Sequence, residues 1–172
     1  CSSIMHGPWT APLAAQQANP TQLTLSYVKH FLDYAASHPD AMVTFHASDM
    51  VLAVHSDTSY LSETKACSRA GGNFFISTSN VFPPNNGAVL TTSHIIKVVM
   101  SSAAEAELGA LYINVRETIP LRHLLEEMGH MQPRTPVQTD NLMAKGIINS
   151  RIQPKQTNAM DMCFHSLQDR MT

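Results

Sequence analysis

At residues 98–111 the chain reads VVMSSAAEAELGAL, and across two serines an extended, β-branched pattern gives way to a helical one. A change of period of this kind constrains the fold strongly. Side chains before it must alternate across a strand, and those after it must step round a helix by about 100° per residue. Ser102-Ala103-Ala104-Glu105 has capping-box spacing. The serine hydroxyl accepts from the third helical amide and the glutamate reaches back to the amide of the capping residue. Glu105 therefore has a structural task. Glu107 lies about 200° further round the helix, beside the stripe formed by Leu108, Leu111, Val115 and Ile119. A carboxylate on the rim of a buried stripe is costly unless something positive meets it. A metal ion would serve, and so would Lys97 or Arg116.

Upstream, "MVTFHAS" and "MVLAVHSD" within residues 42–57 are two short β-favouring runs joined at Ser48 and Asp49, the second ending on Asp57. After the polar stretch ETKACSRAGG, a second strand reads NFFISTS over 73–79. FPPNNG is a turn signal, with Asn86 and Gly87 suited to positive φ, and a third strand follows at 88–99. Three sequential strands with short connections predict an antiparallel meander.

Downstream, Pro120 suits the first position of a new helix, PLRHLLEEMG, capped by Gly129. MQPRTP reads as loop, VQTD as a short strand ending on Asp140, and NLMAKGIIN as the start of a helix or turn. If the strands of Asp57 and Asp140 lie side by side and parallel, the helices between them form a crossover and both carboxylates emerge on one edge. Asp57, Glu107 and Asp140 have no basic residue beside them in sequence. Such a set suits a hard cation, magnesium or manganese. Each residue also has an ordinary structural use: Asp57 can cap a turn, Asp140 can cap a helix, and Glu107 can form a surface ion pair.

A chain of 172 residues is long enough for one ordinary domain with a sizeable core. Charged residues make up only 14% and the formal charge is −2, which excludes holding nucleic acid on net charge alone but leaves room for a local patch. Cys1, Cys67 and Cys163 form neither a C-x-x-C pair nor a zinc-ligand spacing, and their odd count speaks for a reducing compartment. The nine histidines are scattered and include no H-E-x-x-H. No apolar run approaches the roughly 18 residues of a membrane span, and the N-terminus lacks a signal-peptide layout. The expected location is the cytoplasm or nucleus, without secretion or membrane contact. The chain begins at Cys1 and reads as a piece of something longer. Residues 1–20 are rich in Ala, Gln and Pro and read as loop, while residues 21–37 place Leu25, Val28, Phe31, Leu32 and Ala35 at helical spacing, with Thr21 or Thr24 as cap and His38-Pro39 as terminator.

In that order and at those separations, AVHSDTSYLSETKACS, VVMSSAAEAELGAL and PVQTDNLMAKGI resemble the ribonuclease H domain of copia-type retrotransposon Pol polyproteins. Members of that family carry a Y-S-D-A-D-like block, an S-S-A-E-A-E-Y-x-A-L block and a C-D-N-x-x-A block. The tail NAMDMCFHSLQDR resembles the family's K-H-I-D-x-R-Y-H-F-I-R-E helix. The resemblance covers roughly residues 42–170, and the helix at 21–37 looks like the linker from the polymerase thumb.

The resemblance implies an α/β fold of the ribonuclease H type: an antiparallel meander of three strands plus a parallel strand, with flanking helices. Residues 1–41 would be the remnant of the preceding polymerase region and 42–172 the ribonuclease H-like domain. The implied activity is hydrolysis of the RNA strand of an RNA–DNA hybrid during reverse transcription, leaving a 5′-phosphate and a 3′-hydroxyl. Asp57 would bridge two magnesium ions, with Glu107 and Asp140 holding the second and manganese as a substitute. The ions, about 4 Å apart, would stabilise the attacking and leaving oxygens together. Recognition would rest on 2′-hydroxyls and backbone shape, with Lys65, Ser68 and Arg69 as phosphate contacts. The implied partners are the hybrid and the reverse transcriptase domain of the same polyprotein, within virus-like particles in the cytoplasm or in the nucleus.

The chain departs from the family pattern at its end. It stops at Thr172, before the family's fifth strand and last helix, whose V-P-x-x-x-Q-x-A-D-x-x-T-K-like segment supplies a fourth carboxylate. Asp161 is the late aspartate left as a fourth ligand, in a block where Ala159 replaces the family's histidine and Cys163 an arginine. The expectation is an incomplete domain with one sheet edge open. The alternative function is a catalytically inactive relic or nucleic-acid-binding module that keeps the fold.

Overall fold

The computed structural model describes residue 13 and residues 16–78 and 82–140. The chain divides into two compact units, one ending at Phe45 and the other starting at His46. In the first, helix α1 spans Gln22–Ser37. Thr21 caps it: its hydroxyl accepts from Thr24 N–H at 3.2 Å, and the Thr24 hydroxyl accepts from Thr21 N–H at 3.0 Å. This threonine pair makes a capping box from two hydroxyls, and the helix stops at His38 as Pro39 requires.

The second unit is α/β. Strands β1 (Val51–Ser59), β2 (Ser68–Ser77) and β3 (Ala88–Ile96) precede helix α2 (Ala103–Glu127) and the short strand β4 (Val137–Gln138). The sheet order is β3-β2-β1-β4; β1 pairs antiparallel with β2, β2 antiparallel with β3, and β1 parallel with β4. The expected meander and the expected parallel strand are both present, with α2 in the crossover. No helix among the described residues is long and apolar enough to cross a membrane.

The first of the two β-favouring runs forms no strand. Met42, Val43 and Phe45 are exposed, and only the second run pairs, starting after Met50 turns through φ 60°. Strand propensity without a partner leaves backbone groups to water. β2 begins five residues earlier than expected, at Ser68 against 73, so the end of the stretch read as polar, Gly71 and Gly72 included, lies within the strand. Asn86 holds its loop through its side chain rather than a positive φ: Oδ1 accepts from His46 N–H, and Nδ2 donates to the carbonyls of His46 and Ile76.

The helix is continuous through Pro120, correcting the expected break there. Pro120 and Arg116 are both exposed, so the interruption of the hydrogen-bond ladder falls on the solvent side of the helix. α2 ends in a Schellman motif. Gly129, at φ +92°, donates to Glu126 C=O and His130 to Leu125 C=O, each at 2.9 Å.

Two groups of buried side chains fix α2 on the sheet. Near its start, Ala106, Leu108, Ala110 and Leu111 pack with Ala70, Ile96 and Met100; near its end, Leu125 packs with Leu52, Val54 and Phe74. Each large apolar side chain contributes about 1.5–3 kcal/mol. The buried stripe differs from the expected one. Glu107, Leu111, Asn114, Thr118 and Leu125 are buried, while Val115 and Ile119 are half-buried, so Glu107 sits within the interface and not on its rim.

Candidate metal centre

Three elements each bring one carboxylate to one place. Asp57 follows the apolar half of β1, an interior strand paired on both edges by β2 and β4 and buried on both faces from Val51 to Val54. Its Oδ1 accepts from Thr58 N–H at 2.8 Å.

Glu107 stands in the second turn of α2, whose start is fixed by Ser102: its hydroxyl accepts from Glu105 N–H at 3.2 Å. Glu105 reaches one residue further back than its motif predicts and accepts from the Ser101 amide and hydroxyl at 2.8 and 2.7 Å. The two glutamates have separate tasks, as the sequence suggests.

Asp140 is placed by the segment that leads to β4. Gln132 stands in for a strand partner. Its Oε1 accepts from Leu52 N–H at 3.0 Å and its Nε2 donates to Met50 C=O at 2.8 Å. Arg122 of α2 clamps the same segment, donating to the carbonyls of Gln132 and Pro133 and to the Thr135 hydroxyl. Val54 then pairs with Val137 and His55 with Gln138. Extending that register by two residues sets Asp140 beside Asp57.

One carboxylate oxygen from each of Asp57, Glu107 and Asp140 lies within 4.8 Å of the other two. The aspartates are exposed and Glu107 is 6% exposed, so the cluster has a buried floor and an open mouth. Burial pushes the Glu107 carboxyl up from 4.5 to about 7; the charges of Asp57 and then Asp140 add to this, and hydrogen bonds from Thr139 and Thr58 oppose it. The Thr139 hydroxyl lies 3.4 Å from Glu107 Oε2. Among the described residues no ion pair reaches Glu107, and Arg116 instead lies over the Tyr112 ring. Three carboxylate oxygens this close together offer hard donors, and the triad could hold a metal ion.

The three expected phosphate contacts sit in different surroundings. Lys65 is exposed at φ 61° in a 3-10 turn, Thr64–Ala66. Ser68 is fully buried, and its hydroxyl accepts from Leu61 N–H at 3.1 Å, so it fastens the β1–β2 connection instead of offering a donor to solvent. Arg69 Nε donates to Glu63 Oε1 at 2.6 Å and its Nη1 to Ser93 Oγ at 3.1 Å. Asp161 lies outside the described residues.

Sequence reading missed Thr58, Thr139 and Gln132, which orient or place the carboxylates. Thr58 and Thr139 adjoin Asp57 and Asp140 in sequence, and that adjacency was the available signal; Gln132 carried none. Compared with models of protein families and with curated protein sequences, the chain matches none.

Proposed function

We propose that residues 46–140 form the greater part of a ribonuclease H-like domain, and that Asp57, Glu107 and Asp140 hold divalent cations for hydrolysis of the RNA strand of an RNA–DNA hybrid. One observation carries the reading: carboxylates from the central strand, the crossover helix and the end of the neighbouring parallel strand share a 4.8 Å cluster with no cation paired to Glu107 among the described residues. The strand order β3-β2-β1-β4 agrees with it. The sequence blocks around the three carboxylates resemble the copia-type family.

When bound, a magnesium pair supplies charge neutralisation at the scissile phosphodiester and at the attacking and leaving oxygens. The chain's own residues set where this happens. The exposed aspartates face incoming ligand, Glu107 closes the floor, and Thr58 and Thr139 hold its carboxylate in orientation. Residues 1–41 then belong to a preceding polymerase region of the same polyprotein.

The test is cleavage of a labelled RNA–DNA hybrid against magnesium concentration, with Asp57→Asn alongside. The expected result is magnesium-dependent cleavage that the substitution lowers by at least about a hundredfold. Magnesium binding without cleavage would support instead a domain that keeps the site but not the activity. Neither binding nor cleavage would remove the metal-centre reading altogether.

A further inference from the structure

Asn114 is wholly buried in the stripe of α2 that faces the sheet. Its Nδ2 donates to Ser56 Oγ and to Gly71 C=O, both at 2.9 Å, and its Oδ1 accepts from Thr92 Oγ1 at 3.3 Å. One side chain thus ties the helix to β1, β2 and β3. Two of these anchors adjoin the candidate metal centre: Ser56 precedes Asp57, and Gly71 is the cross-strand partner of Asp57.

The room for this contact is specific. A Cβ on Gly72 would lie 2.3 Å from Asn114 Oδ1 and 2.5 Å from Thr92 Oγ1, so only glycine lets the amide reach the sheet. The helix in turn approaches closely through small residues, Ala106, Gly109 and Ala110.

Glu107 and Asn114 are seven residues apart on one helix, so they share a face within about 20° and stand about 10.5 Å apart along the axis. Apolar packing has no direction and tolerates small slides and rotations of a helix. A buried amide does not, because its hydrogen bonds are satisfied in one register only.

We infer that Asn114 is a positioning residue for the metal centre: its hydrogen bonds to Ser56, Gly71 and Thr92 set the rotation and height of α2 that bring Glu107 opposite Asp57. This rests on the proposed metal-centre reading. It adds that the geometry of the carboxylates is set from the core beneath them.

The test is manganese affinity, read by electron paramagnetic resonance on folded protein, for wild type, the double variant Asn114→Leu/Ser56→Ala and the single variants Ser56→Ala and Thr92→Val. Leu125→Ala, which loosens the far end of the same helix, serves as a control for general destabilisation. Near-ultraviolet dichroism establishes that each protein compared is folded. The expected result is wild-type binding, at least about tenfold weaker binding in the double variant, a smaller loss in each single variant, and less than about twofold change in Leu125→Ala. If the double variant does not fold, the single variants carry the test, and each must weaken binding while the control does not. Folded variants that bind manganese like wild type, or a control that weakens equally, would overturn the positioning role and leave the metal centre standing. A wild-type protein that binds no manganese would overturn both, and that outcome is recognisable without any variant.

Discussion

The two ends of helix α2 lie on one sheet and are built on opposite terms. At the C-terminal end, Leu125 packs with Leu52, Val54 and Phe74, and Gly129 closes the helix with its carbonyls satisfied. At the N-terminal end the same face buries Glu107 between two more carboxylates. The first arrangement stabilises the apo protein and the second costs it stability. The helix can carry that cost because apolar packing holds it at both ends, through Leu108 and Leu111 beside Glu107 and through Leu125 at the far end. The comparison also separates the residues expected to govern folding from those expected to govern metal affinity.

The largest effect should come from the apolar end. Phe74→Ala removes a fully buried ring and is expected to cost about 3–5 kcal/mol in urea unfolding, while metal affinity of the remaining folded protein stays near wild type. Next is Gln132→Ala, which leaves Leu52 N–H and Met50 C=O unpaired beside β1 and should cost about 2–3 kcal/mol. Unlike Phe74→Ala it should also weaken metal binding, because the segment it holds carries Asp140.

Glu107→Gln should have the opposite sign. The folded pKa of about 7 lies above the ordinary 4.5, so between these values the native state binds more protons than the unfolded chain. Stability of the apo protein therefore falls as pH rises through that window and levels off above it. Allowing for solvent screening at the open mouth, the variant should be about 1–2 kcal/mol more stable than wild type at pH 8 and indistinguishable from it below pH 4.5, with magnesium binding weakened throughout. Thermal unfolding across pH without metal measures this. The smallest effect is Gly129→Ala, where φ +92° disfavours a side chain but nothing lies within 4 Å of the added methyl; about 1 kcal/mol should be lost, with metal binding untouched.

How much of this was legible in the sequence follows from the range of the forces involved. The meander, the cap at Ser102 and the Gly129 terminus are written in local pattern and turn chemistry, whereas the parallel placement of VQTD, a non-local pairing, entered only as a condition and through the family resemblance. The three carboxylates stood out because each was expected near the end or start of an element without a basic neighbour, although β1 continues past Asp57 to Ser59. Pro120 misled because its cost depends on whether its face of the helix meets water, which local pattern does not state. The start of β2 was missed because its first residues read as a polar stretch, and the reason two glycines belong in a strand there, room for Asn114, lies more than forty residues on. The same non-locality hid Gln132, a loop amide that replaces a strand partner for β1.

Whether Asp57, Glu107 and Asp140 bind a divalent ion together is tested most directly by anomalous diffraction from a manganese-soaked crystal at neutral pH or above. The expected result is an anomalous peak within coordination distance, about 2.0–2.4 Å, of oxygens from all three carboxylates, and its loss in Glu107→Gln. A difference map without a peak in the cluster, or with manganese held only at other surface carboxylates, would contradict it.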